Sequence, residues 1–165
     1  MITRNWYNGF KANFTRSTIK NGLTGLSGKT YDAIPQPNAN YYWYLFFTKL
    51  NLNWNTGNSD TGSTGIGFGS GTTPPTIDDY KLESAISKGL SFSFTQSHGN
   101  PCTWIITITN TSDKEITIAE LGMFTSIYSS YYNSGSDITA LVDRTVLDRI
   151  PCLTHIGLSK VIAEL

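Results

Sequence analysis

The chain has 165 residues, 12 basic and 12 acidic, and therefore no net charge. Its length fits one domain, and its 15% of charged residues is well below the roughly 25% typical of soluble domains. Aromatic residues are abundant and strong helix formers are few, so the composition favours a mainly β domain with a surface rich in hydroxyl and amide groups. Such a neutral surface suits packing against neighbouring protein.

The charges are unevenly distributed along the chain. Residues 1–50 carry six basic residues and one acidic residue, a net charge of +5, and residues 51–165 carry a net charge of −5. A basic amino-terminal arm could dock on an acidic neighbour or reach nucleic acid. The basic residues form no continuous cluster, so nucleic acid is not an expected partner.

No segment of the sequence predicts export or membrane insertion. The first residues lack the apolar core of a signal peptide. The most apolar stretch, residues 41–52, is shorter than the roughly 20 residues that span a bilayer. We therefore expect synthesis in the cytoplasm, no membrane partner, and reduced thiols at Cys102 and Cys152.

Residues 1–40 are predicted to form an amino-terminal arm and connector. Trp6, Tyr7, Phe10 and Phe14 recur at about one helical turn, which predicts a short amphipathic helix over residues 4–16. We expect this aromatic stripe to pack on the domain or on a sister subunit, and Trp6 and Tyr7 are interface candidates. Glycines and prolines then interrupt the chain before the next regular element.

Residues 41–165 are predicted to form one β domain. A long strand begins near Tyr41, and its alternation is clearest over residues 49–55. Residues 57–76 show no apolar periodicity and are predicted to be a long glycine-rich loop. Residues 78–88 are predicted to be a short helix, with Tyr80, Leu82 and Ile86 facing the sheet.

Further strands follow in close succession. Leu90, Phe92 and Phe94 alternate with hydroxyl residues, and the same pattern recurs from Trp104 to Ile108. Additional strands are predicted at 116–124, 139–148 and 156–164, with a tyrosine- and serine-rich loop at 126–137. Strands at this spacing, separated by turn residues, predict an antiparallel β-sandwich or jelly-roll-like single domain.

The glycine-rich run before residue 76 does not have the form of a phosphate-binding loop. No Gly-Lys-Ser/Thr follows it, and Pro74 and Pro75 stand where the phosphate-binding helix would begin. The acidic residues Asp78, Asp79 and Glu83 lack the spacing of an EF-hand, so helix capping by Asp78 or Asp79 is the favoured interpretation.

The two histidines and two cysteines occur as His98-x3-Cys102 and Cys152-x2-His155. These four side chains could close a tetrahedral zinc site if the two turns met in space, but ordinary turn and core roles are favoured. No Gly-x-Ser-x-Gly nucleophile elbow is present. We therefore expect no cofactor, no metal and no enzymatic activity.

Glu120 and Arg144 each lie within an apolar segment, IAELG and VDRTV. A charge among buried neighbours is costly unless it is paired. We therefore predict that Glu120 pairs with Arg144, across the sheet or between subunits. The alternative is that each side chain occupies a solvent-exposed face.

Several runs of the sequence together resemble small virion structural proteins of tailed bacteriophages, the accessory proteins of the head or tail. These runs are GFGSGTTPP at 67–75, DYKLE at 79–83, AELGMF at 119–124, LVDRTV at 141–146 and the opening TRNWYN at 3–8. The resemblance covers roughly residues 66–150 and, more weakly, the first ten residues. It implies a component of the virion that contacts capsid, portal or tail proteins and forms a homo-oligomer.

A second hypothesis is a module on the virion surface that binds host carbohydrate. Tyr128, Tyr131 and Tyr132 in the loop at 126–137 would supply the stacking faces. A third alternative, a small glycan hydrolase, would require paired carboxylates across a cleft.

Overall fold

A computed structural model describes residues 1–35, 65–97, 103–129, 136–152 and 159–164. This part of the chain is mainly β and consists of antiparallel sheets with one helix, as the composition predicts. The elements are, in chain order, α1 (Arg4–Thr15), β1 (Ile19–Thr24), β2 (Thr30–Ala33), β3 (Gly65–Gly69), β4 (Leu90–Ser97), β5 (Thr103–Asn110), β6 (Ile116–Ser129), β7 (Ser136–Cys152) and β8 (Ser159–Glu164).

The first sheet is built around β6. Strand β7 pairs with β6 along its whole length, while β3 pairs with the other edge of β6 at its centre and β2 pairs there near its end. Strand β1 then pairs with β2. Two register shifts between β6 and β7, between Ile118 and Glu120 and between Met123 and Phe124, mark bulges or irregularities at the centre of the pairing.

The second sheet has the order β4-β5-β8. Its first two strands pair in register from Leu90 opposite Asn110 to Ser97 opposite Thr103. One hydrophobic cluster contains side chains of both sheets, with Ile66, Phe68 and Leu121 from the first sheet and Ile106 and Ile108 from the second. One part of the core therefore lies where the two sheets share apolar residues. Another part lies between α1 and the first sheet and includes Ala12, Leu23, Ile127 and Ile138.

Helix α1 packs on the first sheet through small and polar residues. Its buried residues are Asn5, Gly9, Ala12 and Asn13. A Cβ atom on Gly9 would lie 2.9 Å from Cγ2 of Ile127, so the helix backbone approaches β6 closely. The amide of Asn5 donates to the carbonyl oxygen of Thr24 at 2.9 Å and accepts from its backbone N–H at 2.7 Å.

The structure confirms most of the elements that alternation predicts. The helix expected over 4–16 spans Arg4–Thr15, and the strands expected from 90, 104, 116, 139 and 156 correspond to β4 to β8. β6 and β7 extend into the predicted loop at 126–137, of which residues 130–135 lie outside the described residues. The predicted strand from Tyr41 also lies outside them. No helix in the described ranges is long and apolar enough to cross a membrane.

Two sequence predictions are wrong. The glycine-rich loop expected at 57–76 contains a strand, because Gly65–Gly69 pairs with β6 from Phe124 to Glu120. Residues 78–88 form turns and bends and no helix. The backbone N–H groups of Glu83 and Ser84 bind the Glu120 carboxylate and no carbonyl of a preceding turn. In addition, β1 and β2, which the sequence analysis does not predict, lie within the expected amino-terminal arm and join the first sheet.

Candidate functional site

Arg144 on β7 is the centre of a charged cluster that joins three carboxylates. Its Nε donates to Glu120 at 2.8 Å, Nη1 to Asp79 at 3.0 Å and Nη2 to Glu83 at 3.2 Å. One guanidinium therefore uses its three nitrogens on three different acidic residues. We call Arg144, Glu120, Asp79 and Glu83 the Arg144 cluster.

Glu120 lies at the buried end of this cluster. The residue is 0% exposed and Arg144 is 2% exposed. Besides the guanidinium, the Glu120 carboxylate accepts backbone N–H groups from Gly71 at 3.2 Å, Ser84 at 2.7 Å and Glu83 at 3.1 Å. Burying a carboxylate costs several kcal/mol unless it is paired and hydrogen-bonded, and four donors satisfy that requirement here.

Glycines make room for the Glu120 side chain. A Cβ atom on Gly69 would lie 2.7 Å from Cγ of Glu120, and one on Gly71 would lie 2.7 Å from its Oε1. In β3, glycines at 65, 67 and 69 alternate with Ile66 and Phe68, so the glycines share one face of the strand. The apolar pair belongs to the shared core. The glycine-rich run thus fits the buried carboxylate closely.

The two outer carboxylates of the cluster are held in their ionised form. Burial raises the pKa of Asp79, but hydrogen bonds from Thr76 and Arg144 outweigh it and leave that pKa below its ordinary value. Hydrogen bonds from the hydroxyl and backbone of Thr73 lower the pKa of Glu83, and Arg144 adds to the effect. Burial lowers the pKa of Arg144, but hydrogen bonds and charge attraction from the carboxylates of Glu120 and Asp79 outweigh burial and leave that pKa above its ordinary value.

The predicted pairing of Glu120 with Arg144 is present, and it lies across the sheet within one chain. Both side chains are enclosed by residues of the same chain, so the pair belongs to the interior and supports the scaffold. Sequence reasoning missed Asp79 and Glu83 as partners. The sequence shows both residues in one acidic group, but the interpretation that it favours is helix capping by Asp78 or Asp79. Asp79 instead closes a turn by accepting from the backbone and hydroxyl of Thr76 at 2.9 Å.

The other predicted interface residues lie on an outward face of α1. The rings of Trp6 and Phe10 stack with centroids 5.3 Å apart, and those of Phe10 and Phe14 with centroids 5.8 Å apart. Tyr7 is 52% exposed and Phe14 is 78% exposed. Trp6 is half-buried and also contacts the core. We call Trp6, Tyr7, Phe10 and Phe14 the aromatic face of α1.

The remaining candidate residues fall largely outside the described residues. Tyr131 and Tyr132 lie outside, and Tyr128 is placed only as a backbone position of β6, so the carbohydrate hypothesis stays a prediction. His98, Cys102 and His155 also lie outside, while Cys152 is a buried free thiol. Across the described ranges, no group of three or more His, Cys, Asp and Glu side chains is arranged to hold a metal. In the Arg144 cluster, the guanidinium of Arg144 is itself the cation that the three carboxylates bind.

A small cavity of about 100 Å³ lies beside β3. Ile66, Phe68, Ile86 and Phe92 line it, and the rings of Phe68 and Phe92 stack at 5.2 Å. Pockets that bind small molecules typically measure roughly 300–1,000 Å³. This cavity has the size of a side chain and not of a substrate.

Comparison with known proteins identifies no relative of this chain. No protein-family model matches the chain, and neither a curated protein nor a solved structure matches it. Its function must therefore be inferred from its own residues.

Proposed function

We propose that this chain is a structural component that works by association, as an accessory protein of the head, neck or tail of a tailed phage particle. Its partners are copies of itself and other virion proteins, and it carries out no catalysis. The phage context comes from the sequence resemblance alone. The inference that the chain works by association is based on a feature of the fold, the outward aromatic face of α1.

The orientation of α1 is the observation that carries this proposal. An amphipathic helix on a sheet normally turns its large apolar residues inward. Here Asn5, Gly9 and Asn13 face the sheet, while Tyr7 and Phe14 face outward. Aromatic side chains are enriched where protein surfaces meet and supply a large share of binding energy there. An exposed aromatic face on an ordered helix therefore suits a protein partner.

The charge of this helix also fits association. α1 contains Arg4 and Lys11 and no acidic residue, whereas residues 51–165 carry a net charge of −5. Complementary potentials of this kind favour encounter between surfaces of opposite sign. A second copy offers such a surface, and a repeated contact between unlike surfaces builds rings or filaments.

We further infer that the two sheets form a sandwich. The shared cluster of Ile66, Phe68, Ile106 and Ile108, together with the stacked rings of Phe68 and Phe92, supports face-to-face packing. A layered scaffold of this type would hold α1 and its aromatic face in a fixed orientation.

Co-expression with the capsid, portal and tail proteins of the same phage tests the proposal. We expect the wild-type chain to co-purify with at least one of them and Phe14→Ser to lose that partner. Ile77→Ser is the matched control, because Ile77 is also exposed but lies beside Arg4, about 15 Å along the helix from Phe14. Binding only to a glycan array would favour the carbohydrate module instead.

A further inference from the structure

Residues 70–84, which we call the strap, cross one face of the first sheet without forming a helix or a strand. Of these residues, only Gly71 and Leu82 are buried. Leu82 packs with Phe124 and Leu141 in a small cluster of its own. The strap therefore has a well-defined position but rests on little apolar surface.

The polar contacts between the strap and the sheet converge on two side chains. Glu120 accepts three backbone N–H groups from the strap, and Arg144 donates to the strap carboxylates Asp79 and Glu83. The ends of the strap are joined to each other, since the N–H of Ser70 donates to the carbonyl oxygen of Ser84 at 2.9 Å. A segment closed in this way can detach from the sheet as one piece.

The strap also contacts the start of α1. The backbone N–H of Arg4 donates to the carbonyl oxygen of Ile77 at 2.6 Å, and its Nε donates to Asp78 at 2.6 Å. Movement of the strap would therefore change the support of the first turn of α1. It would also uncover Phe124 and Leu141, which are buried when the strap is closed.

We propose that the strap opens and closes as one unit on the Glu120–Arg144 pair, while β6 and β7 remain paired behind it. Segments with few apolar contacts open at a lower free energy than the whole fold. The strap has this character, whereas β6 and β7 pair from Ile116 to Ser129 with two register shifts between them. The Arg144 cluster is thus the latch of a conformational device, and this proposal does not depend on the proposed function.

Hydrogen exchange of the full-length chain tests the latch. The variants are Asp79→Asn, Glu83→Gln and Arg144→Lys. The first two each weaken one contact of Arg144, together with the hydrogen bonds from Thr76 or Thr73 to the same carboxylate, and leave the bond of Arg144 to Glu120. The control is Lys20→Gln, which removes the exposed pair of Lys20 with Asp32 on β1 and β2. We expect exchange in residues 71–84 to rise about tenfold in Asp79→Asn and Glu83→Gln, the factor for one charge-assisted hydrogen bond.

Peptides from β6 and β7 should exchange at unchanged rates in these two variants, and the control should match the wild type throughout. An equal rise in the strap and in β6 and β7 would show global loosening and overturn the proposal. Unchanged exchange in the strap would overturn it as well. If Arg144→Lys does not fold, the two strap variants decide the outcome, because neither removes a fully buried group.

Discussion

At the scale of single residues, Glu120 and Arg144 join parts of the chain that lie far apart in sequence. Arg144 lies 24 positions from Glu120 and 65 positions from Asp79. Without Arg144, the buried Glu120 carboxylate would lose its counter-charge. Without Glu120, Arg144 would keep Asp79 and Glu83, but its Nε would lose its acceptor. The contribution of each residue to the free energy of unfolding therefore depends on the presence of the other, and this dependence can be measured.

Arg144→Met alone should lower the free energy of unfolding by about 3–5 kcal/mol, because it leaves the buried Glu120 carboxylate without a counter-charge. Glu120→Leu alone should lower it by a similar amount, because three backbone N–H groups and Nε of Arg144 lose their acceptor. The double variant should lose less than the sum of the two single losses. Urea denaturation of the four proteins gives this double-mutant cycle. Additive losses would show that the two charges do not stabilise each other.

Gly71→Ala should also destabilise the fold, by about 1–3 kcal/mol. Its Cβ atom would lie 2.6 Å from Cβ of Glu83 and 2.7 Å from Oε1 of Glu120, which leaves no space for a methyl group. Ser70→Ala, at the exposed neighbouring position, is the control and should have little effect. Equal thermal midpoints for both variants would contradict the close fit around Glu120.

At the scale of elements, the strap should respond to acid. The pKa values of Asp79 and Glu83 lie below their ordinary values in the folded chain. Their ionised forms therefore stabilise the fold above the unfolded pKa of about 4, and this contribution is lost as the pH falls through the lowered folded values. Wild-type stability in urea should drop more steeply below pH 4 than that of the Asp79→Asn/Glu83→Gln variant. Parallel curves would rule out this origin of the acid response.

The two faces of α1 should respond differently to substitution. Tyr7→Ser and Phe14→Ser should change the free energy of unfolding by less than about 0.5 kcal/mol, because both side chains are largely exposed. Gly9→Ala should destabilise the chain, since its methyl group would meet Ile127. Thermal unfolding monitored by circular dichroism compares the three. A large loss for Phe14→Ser would mean that the aromatic face supports the fold.

The sequence predicts those secondary-structure elements that a local residue pattern marks, and it fails where distant contacts decide the local structure. Alternating apolar and hydroxyl residues predicted β4 and β5, because side chains on a strand point to opposite faces. The alternation in β3 was missed because glycine fills every second position. The helix predicted at 78–88 does not form, because the N–H groups of Ser84 and Glu83 donate to the Glu120 carboxylate. Glu120 lies 36 and 37 positions away from these residues. No local pattern carries that information.

At the scale of the whole molecule, we propose a β scaffold that presents one helix for association. The charged cluster and the shared core fix the scaffold, and we assign association to the aromatic face of α1. The zero net charge of these 165 residues would limit long-range repulsion between copies. Assembly should then depend on α1 and not on the stability of the sheet.

Sedimentation equilibrium of the purified chain over a wide concentration range measures this directly. We predict that the wild type forms species larger than a monomer as concentration rises, and that the Tyr7→Ser/Phe14→Ser double variant, with an unchanged circular dichroism spectrum, stays monomeric. A wild type that remains monomeric at every concentration, or a double variant that associates equally well, would contradict the role assigned to the aromatic face.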